Sequence, residues 1–449
     1  MASTPGEVAW DAEDGPEGEA PPNNWQSLFG GPAWSYDDER GQWYLHLFHR
    51  KQPEFNWEEP AVREAVADEM AFWVDEGIDG FRLDVVNLLS KPEGLPSGDP
   101  DWPYRGTLLL VPNGPRIHEY ISELHDRVFA GEDLLFIGEC VVETSVDEAA
   151  RYVGPDGHGL GMIFHFDHVG IGRGERLWDR TEWALTDLKS VFDRWQEGIQ
   201  GRGWNSLYFN NHDQLRAVSR FGDDGEFRRE SATCIATLVH TLCGTPYVYQ
   251  GEELGMTNPT FESLSEFRDV ETVRTVEEAI ESGEVESFEV IKERLKAHSR
   301  DTSRTPMQWT AGSNAGFTDG EPWIRLHEDH ESVNVEVERA DPESAWHYYR
   351  RLIDLRDDHD VLVYGEYVNH TPEDERLWAY SRTLAGADGP GRAFVALNWS
   401  GDRVEVDPPA AVTGEEATLA LSNYPDSPSP GTVEAYTARP WEARVYLLS

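Results

Sequence analysis

Between residues 60 and 250 the sequence repeats one pattern: a short apolar run ending on a polar or charged residue, then a longer stretch with apolar residues at helical spacing. Apolar runs lie at 78–85, 134–139, 162–166, 206–211 and 245–250, and helical patterns at 61–76, 116–129, 181–199 and 225–242. Such alternation builds a parallel sheet, because each helix returns the chain across the sheet before the next strand begins. Parallel sheets present their chemistry at the carboxyl ends of their strands. Three of the runs deliver an acid there: Asp84 in Gly80-Phe81-Arg82-Leu83-Asp84-Val85-Val86-Asn87, Glu139 in Phe136-Ile137-Gly138-Glu139, and Asp213 in Phe209-Asn210-Asn211-His212-Asp213-Gln214.

Each acid has a plain reading beside the chemical one. Side chains alternate along a strand, so Arg82 and Asp84 are expected on one face, where the cation holds Asp84 ionised and lowers its pKa. That suits a nucleophile, and it equally describes a structural ion pair at the end of a buried strand. Glu139 follows the apolar run Leu134-Leu135-Phe136-Ile137, a setting that raises a carboxyl pKa and suits an acid. Taken alone it is also an ordinary strand-end glutamate that caps a helix or faces water. An ordered set of three acids from three strand ends favours the chemical reading.

Together these segments resemble the α-amylase superfamily of glycoside hydrolases. Within it they are most similar to the oligo-1,6-glucosidase and α-glucosidase group, to which trehalose-6-phosphate hydrolase is close. The resemblance is carried also by Asn23-Asn24-Trp25, Tyr44-Leu45-His46-Leu47-Phe48, Gln250-Gly251-Glu252-Glu253-Leu254-Gly255-Met256-Thr257-Asn258 and Ser303-Arg304-Thr305-Pro306-Met307-Gln308-Trp309. It implies an α/β fold: a (β/α)8 TIM barrel with a C-terminal antiparallel β domain. Residues 1–60 would be a remnant of the insertion domain after barrel strand 3, 61–360 the C-terminal part of the barrel, and 361–449 a β-sandwich. The first three strand/helix units of the family, roughly a hundred residues, and its Asp-x-x-x-Asn-His motif have no counterpart here. The barrel is therefore expected to be incomplete, with strands 4 to 8 present. A start further upstream, a second polypeptide supplying the missing N-terminal segment, or a degenerate fragment each fit, and little or no glucosidase activity is expected of the chain alone.

By the same resemblance Asp84 is the nucleophile, Glu139 the acid/base and Asp213 the third acid that grips sugar hydroxyls. Retention of configuration needs the first two about 5 to 5.5 Å apart. Arg82 would orient the nucleophile, His212 donate to a sugar hydroxyl as a neutral imidazole, and Arg300 help close the non-reducing-end pocket. Arg304 is expected in a structural ion pair. Val85 resembles the α-1,6-preferring members, a preference worth at most about 1 to 3 kcal/mol. Leu215 stands where relatives carry proline. Trp43, Tyr44, Phe48, Phe164 and Phe166 could stack on sugars, although most aromatics are core. The implied reaction is retaining, exo-acting hydrolysis of α-1,6 and α-1,4 glucosidic bonds of oligosaccharides, without a cofactor or metal. Trehalose-6-phosphate hydrolase is the alternative; it needs a cationic phosphate site, which the sequence does not reveal. A non-catalytic fragment, or one half of a split protein, is the alternative of another class.

Composition narrows the partners. The 449 residues hold 84 acidic against 38 basic side chains, a formal charge of −46, with five lysines among them. That charge repels phosphate backbones and anionic lipid, excluding nucleic-acid and membrane-surface partners. It suits a protein adapted to concentrated salt, where counterions screen self-repulsion. Cys140, Cys234 and Cys243 lack disulfide or metal-site spacing, and no apolar run reaches the roughly 20 residues needed to span a bilayer. A cytoplasmic location is expected. Residues 1–24 read as a loop or a mobile end, 262–298 as an acidic helical excursion, 343–356 as a closing helix, and the alternating runs 376–381 and 393–398 as antiparallel strands.

Overall fold

In the computed structural model, residues 20–99, 106–142, 144–154, 159–174, 176–296, 298–429 and 431–448 are described. Apart from 20–24, the expected N-terminal loop lies outside them. The chain divides into two units: 1–167 with 201–204 and 274–279, and 168–200 with 205–273 and 280–449.

The first unit opens with a hairpin that the sequence did not announce, β1 (Trp34–Asp37) paired antiparallel with β2 (Gln42–Leu45). Its turn is closed by Asp37, whose Oδ1 accepts from the Glu39 and Arg40 amides at 3.0 and 3.2 Å. Trp25, Leu28, Trp34, Leu45 and Leu47 bury one apolar cluster with Leu88 and Val111. At about 25 cal/mol per Å² of apolar surface, that cluster anchors a segment otherwise poor in regular structure. Helix α1 (Pro60–Asp75) starts with proline in its first turn and stops before Gly77, whose φ of 92° ends the helix.

Strands β3 (Gly80–Leu83), β4 (Leu135–Cys140) and β5 (Met162–His165) form a parallel sheet in that order, with Leu83 opposite Gly138 and Gly138 opposite Ile163. A Cβ at position 80 would lie 2.0 Å from the Leu135 carbonyl oxygen, so glycine is required for β3 to enter beside β4. Between the strands, α2 (Ile117–Leu124) passes into a π-helical turn, His125–Phe129, which breaks the single helix expected over 116–129. The turn seats Phe129 on Phe136 (centroids 3.8 Å apart) and against the edge of Phe81. Helix α3 (Val146–Tyr152) is capped by Ser145 Oγ, which accepts from Glu148 N at 3.1 Å.

The second unit carries two further parallel strands, β6 (Ser206–Leu207) and β7 (Thr245–Pro246). Both are much shorter than the runs 206–211 and 245–250: Pro246 has no amide to donate, and the pairing is extended by Thr245 N to Asn205 O and Tyr247 N to Leu207 O, both at 2.8 Å. The helix expected from 181 begins at Leu185, since Ala184 is extended and its amide is held by Asp187 Oδ2 at 2.9 Å. Helix Arg228–Thr241 is buried almost throughout, and Thr237 bonds Tyr348 of helix Ala345–Asp357 at 2.8 Å. The acidic excursion contains helices Val270–Glu281 and Phe288–Leu295.

From Glu366 the chain is antiparallel. Strands β8 (Glu366–Asn369), β9 (Leu377–Thr383), β10 (Arg392–Asn398), β11 (Val404–Val406), β12 (Ala417–Ser422), β13 (Tyr436–Ala438) and β14 (Ala443–Leu448) form a five-stranded sheet, β12-β14-β10-β9-β8, and a pair, β11-β13. One face of the larger sheet, with Phe394, Ala396, Tyr446 and Leu448, packs on Val404, Val406 and Val433. The other, with Trp378, Tyr380, Val395 and Val445, shares a core with Cys234, Leu238 and Tyr348 of the helices. Lys189, buried on helix Leu185–Ile199, donates to the carbonyls of Thr371, Asp374 and Leu377 and so ties that helix to the β8–β9 connection.

Candidate active site

The parallel register that sets Leu83 beside Gly138 brings Asp84 and Glu139 side by side at the carboxyl ends of β3 and β4. Arg82 joins them: Nη1 donates to Asp84 Oδ1, and Nη2 to Glu139 Oε2 at 2.6 Å. The two carboxyls also bond each other, and Val85 N donates to Glu139 Oε2 at 3.3 Å. Their surroundings differ sharply. The Glu139 side chain is 5% exposed and that of Asp84 71%. Burial, then the hydrogen bond with Asp84, push the Glu139 carboxyl up to about 8 against the pull of Arg82. One member of the pair is thus kept as an acid at neutral pH, while the other is open to solvent beside a guanidinium.

The strand is shorter than the run 78–85: β3 covers Gly80–Leu83, so Asp84 follows directly on its carboxyl end, and Val85 is left-handed (φ 39°, ψ 42°). A β-branched residue in that region is strained by on the order of 1 to 3 kcal/mol. The twist turns the Val85 amide onto Glu139, and the Val85 side chain packs against the apolar cluster around Trp25 and Leu28. Asn87, within the quoted stretch but given no role there, fastens the bend: its Nδ2 donates to Val141 O at 2.9 Å and its Oδ1 accepts from Val141 N at 3.2 Å. The sequence signal was an amide side chain three residues beyond the acid.

Asp213, in the second unit, is held from three sides. Its Oδ1 accepts from Arg304 Nη2 and from Arg300 Nη1 at 3.3 Å, and its Oδ2 lies 3.3 Å from His212 Nε2. The Asp213 amide donates to Asn211 Oδ1 at 2.8 Å, a local turn that aims the carboxylate. Arg304 also donates from Nε to His212 O at 2.7 Å. Its ion pair is therefore with the candidate acid itself, which the sequence did not indicate. Arg300 is shared with buried Asp269, bonding Oδ1 through Nε at 3.1 Å; burial would raise the Asp269 carboxyl, but Arg300 overcomes it and holds the group below the usual range. Arg82, Val85, Asp84 and Glu139 are thus gathered in one unit, and His212, Arg300 and Asp213 in the other.

Of the aromatics that could stack on sugars, Trp43 packs edge-on against Tyr36 and Phe48 against Phe29, both at 5.5 Å. Tyr44 donates to Arg50 O at 2.8 Å. Among the described residues no group of three or more His, Cys, Asp or Glu is arranged to hold a metal ion, and no helix is long and apolar enough to cross a membrane.

Alternating strands and helices with a shared-cation carboxyl pair at adjacent strand ends are the arrangement that a barrel enzyme working through carboxylates presents. Comparison with known proteins makes this specific: residues 8–365 match the family model "Alpha amylase, catalytic domain". The chain belongs to the α-amylase family of glycoside hydrolases, with a TIM-barrel catalytic domain followed by an antiparallel sheet domain. It is 44% identical to the oligo-1,6-glucosidase of Halalkalibacterium halodurans over 95% of its own length and 75% of that protein. It is 40% identical to the trehalose-6-phosphate hydrolase of Bacillus subtilis over 95% of the chain and 74% of the relative. Among solved structures, Bacillus licheniformis trehalose-6-phosphate hydrolase superposes with a TM-score of 0.86 at 40% identity, covering 96% of this chain and 76% of that one. Isomaltulose synthase from Klebsiella sp. LX3 superposes with a TM-score of 0.89 at 35% identity, covering 99% and 78%.

Proposed function

We propose that this chain is a retaining, exo-acting α-glucosidase acting on α-1,6, and secondarily α-1,4, bonds at the non-reducing ends of oligosaccharides. The observation that carries the reading is the asymmetry of the carboxyl pair, one buried and raised to about 8, the other exposed beside Arg82. In this reading Asp84 attacks the anomeric carbon while Glu139 gives its proton to the departing oxygen. The resulting glycosyl-enzyme is hydrolysed by water that Glu139, now a carboxylate, deprotonates. Arg82 stays bonded to both groups and limits the charge that accumulates as the proton leaves Glu139. By its resemblance to the family, Asp213, with His212 and Arg300, takes the role of gripping sugar hydroxyls. Val85 favours the α-1,6 linkage. No step calls for a cofactor or metal.

We read β3 to β7 as barrel strands four to eight. Among the described residues no strand pairs with the outer edge of β3, and Phe72 and Trp73 of α1 are about half exposed; both features suit a complementing N-terminal segment. The three free thiols fit a cytoplasmic setting, and the charge of −46 fits concentrated salt. Relatives at 40% and 41% identity support trehalose-6-phosphate hydrolysis as the second reading. Assaying isomaltose, maltose and trehalose-6-phosphate side by side tests the choice. The first reading expects isomaltose to have the highest kcat/KM; preference for the phosphorylated sugar favours the second, and cleavage of none by chain supplied with a complementing N-terminal segment favours a non-catalytic role.

A further inference from the structure

The second unit contains a cavity of about 110 Å³ with a cationic wall. Arg173, Arg180, Arg220 and His298 line it beside Trp183 and Leu215, and no carboxylate stands among its described lining residues. Arg220 spends Nη2 on the carbonyls of Val169 and Ile171, while its Nη1 is buried without a hydrogen-bond partner. His298 Nε2 is buried and unpartnered in the same way. Arg173 donates from Nη2 to Gln214 Oε1 at 2.7 Å.

Three guanidinium groups around one small void repel one another, and Arg220, buried among them, has no carboxylate partner among the described residues, which is costly for a buried charge. Burial first, then Arg173 and Arg180, drive Arg220 well below the usual arginine range; burial and the three arginines take His298 down to about 3. Asp224 acts on Arg180 from outside the cavity lining. In a chain of charge −46, acids to neutralise such a cluster are abundant, yet none of the described lining residues is one. Arginine's fork of donors matches the geometry of an oxyanion, and a cavity of about 110 Å³ has room for a tetrahedral oxyanion.

We infer that this cavity binds a phosphate-sized oxyanion, held by Arg173, Arg180, the free Nη1 of Arg220 and the ring of His298. The anion is either free in solution or the phosphoryl group of a sugar ester. Leu215 lines the cavity and Arg173 is bonded to Gln214, the neighbour of Asp213, so occupancy also steadies the loop that carries Asp213. The site does not depend on the hydrolytic reading, and its test does not use activity.

Isothermal titration of the full chain with inorganic phosphate, at constant ionic strength against a chloride blank, tests it. Arg180→Gln is the informative variant, because it removes one guanidinium without taking a donor from the carbonyls that Arg220 holds. Saturable phosphate binding is expected, weakened at least tenfold in Arg180→Gln, while the phosphate-free variant melts no lower than the wild type. A parallel titration with glucose-6-phosphate distinguishes the sources: tighter binding than phosphate points to an ester, equal or weaker binding to the free anion. Absence of saturable binding to the wild type, or binding unchanged in both Arg180→Gln and Arg173→Gln, overturns the inference.

Discussion

Replacing Glu139 by glutamine removes an ionisation that the fold disfavours, and the consequence for stability can be worked out. The folded carboxyl is raised to about 8 from an ordinary 4.5, with burial the first cause. Between those values the folded state holds a proton that the unfolded state releases, so the group's contribution is fully present below 4.5 and is lost as pH rises through 8. At about 1.4 kcal/mol per pH unit, the wild type should lose about 4 kcal/mol through this group between about pH 5 and pH 9. Glu139→Gln cannot lose it. Chemical or thermal unfolding of both proteins at the two pH values is the assay. The variant is expected to be near the wild type in acid and more stable than it by about 4 kcal/mol in base. A difference independent of pH would refute the reasoning, because it would mean that Glu139 ionises in the fold as readily as in water.

Two other consequences are structural. Lys189→Met takes the donor from three carbonyls, those of Thr371, Asp374 and Leu377, and should lower stability by about 3 kcal/mol, read as a fall in Tm. Because charges of like sign are screened by ions, the chain of charge −46 should melt several degrees higher in molar KCl than in dilute buffer; equal Tm values would remove the salt-adaptation reading.

Much of the site was legible because its chemistry is local in sequence. Arg82, Asp84 and Val85 lie within four residues, and the strand/helix alternation fixed which ends of the sheet carry the acids. Register then did what sequence alone does not state: it set Asp84 beside Glu139, 55 positions away, through the pairing of Leu83 with Gly138. The left-handed turn at Val85 was invisible, since no propensity places a β-branched residue there; the Glu139 carboxylate and the Asn87 staple impose it. Arg304 makes the expected ion pair, but its partner Asp213 is 91 residues distant and depends on how the 211–215 turn is folded, so sequence does not name it. The hairpin β1–β2 was missed for a different reason: its strands are four residues each, and what stabilises them is the surrounding tryptophan-rich cluster rather than alternation. The helix over 116–129 is present, but its last turn, His125–Phe129, is widened to a π-turn where Phe129 packs on Phe136, which the pattern does not show.

The central claim is that Asp84 attacks the sugar while Glu139 supplies the proton. The most direct measurement is peptide mapping by mass spectrometry after incubation with a 5-fluoro-α-glucosyl fluoride, whose glycosyl-enzyme is hydrolysed slowly enough to accumulate even where turnover is low. The account predicts a single fluoroglucosyl ester on Asp84, formed far more slowly once Arg82 is replaced by glutamine and absent from Asp84→Asn. An ester on Glu139 or Asp213 in place of Asp84 would contradict it.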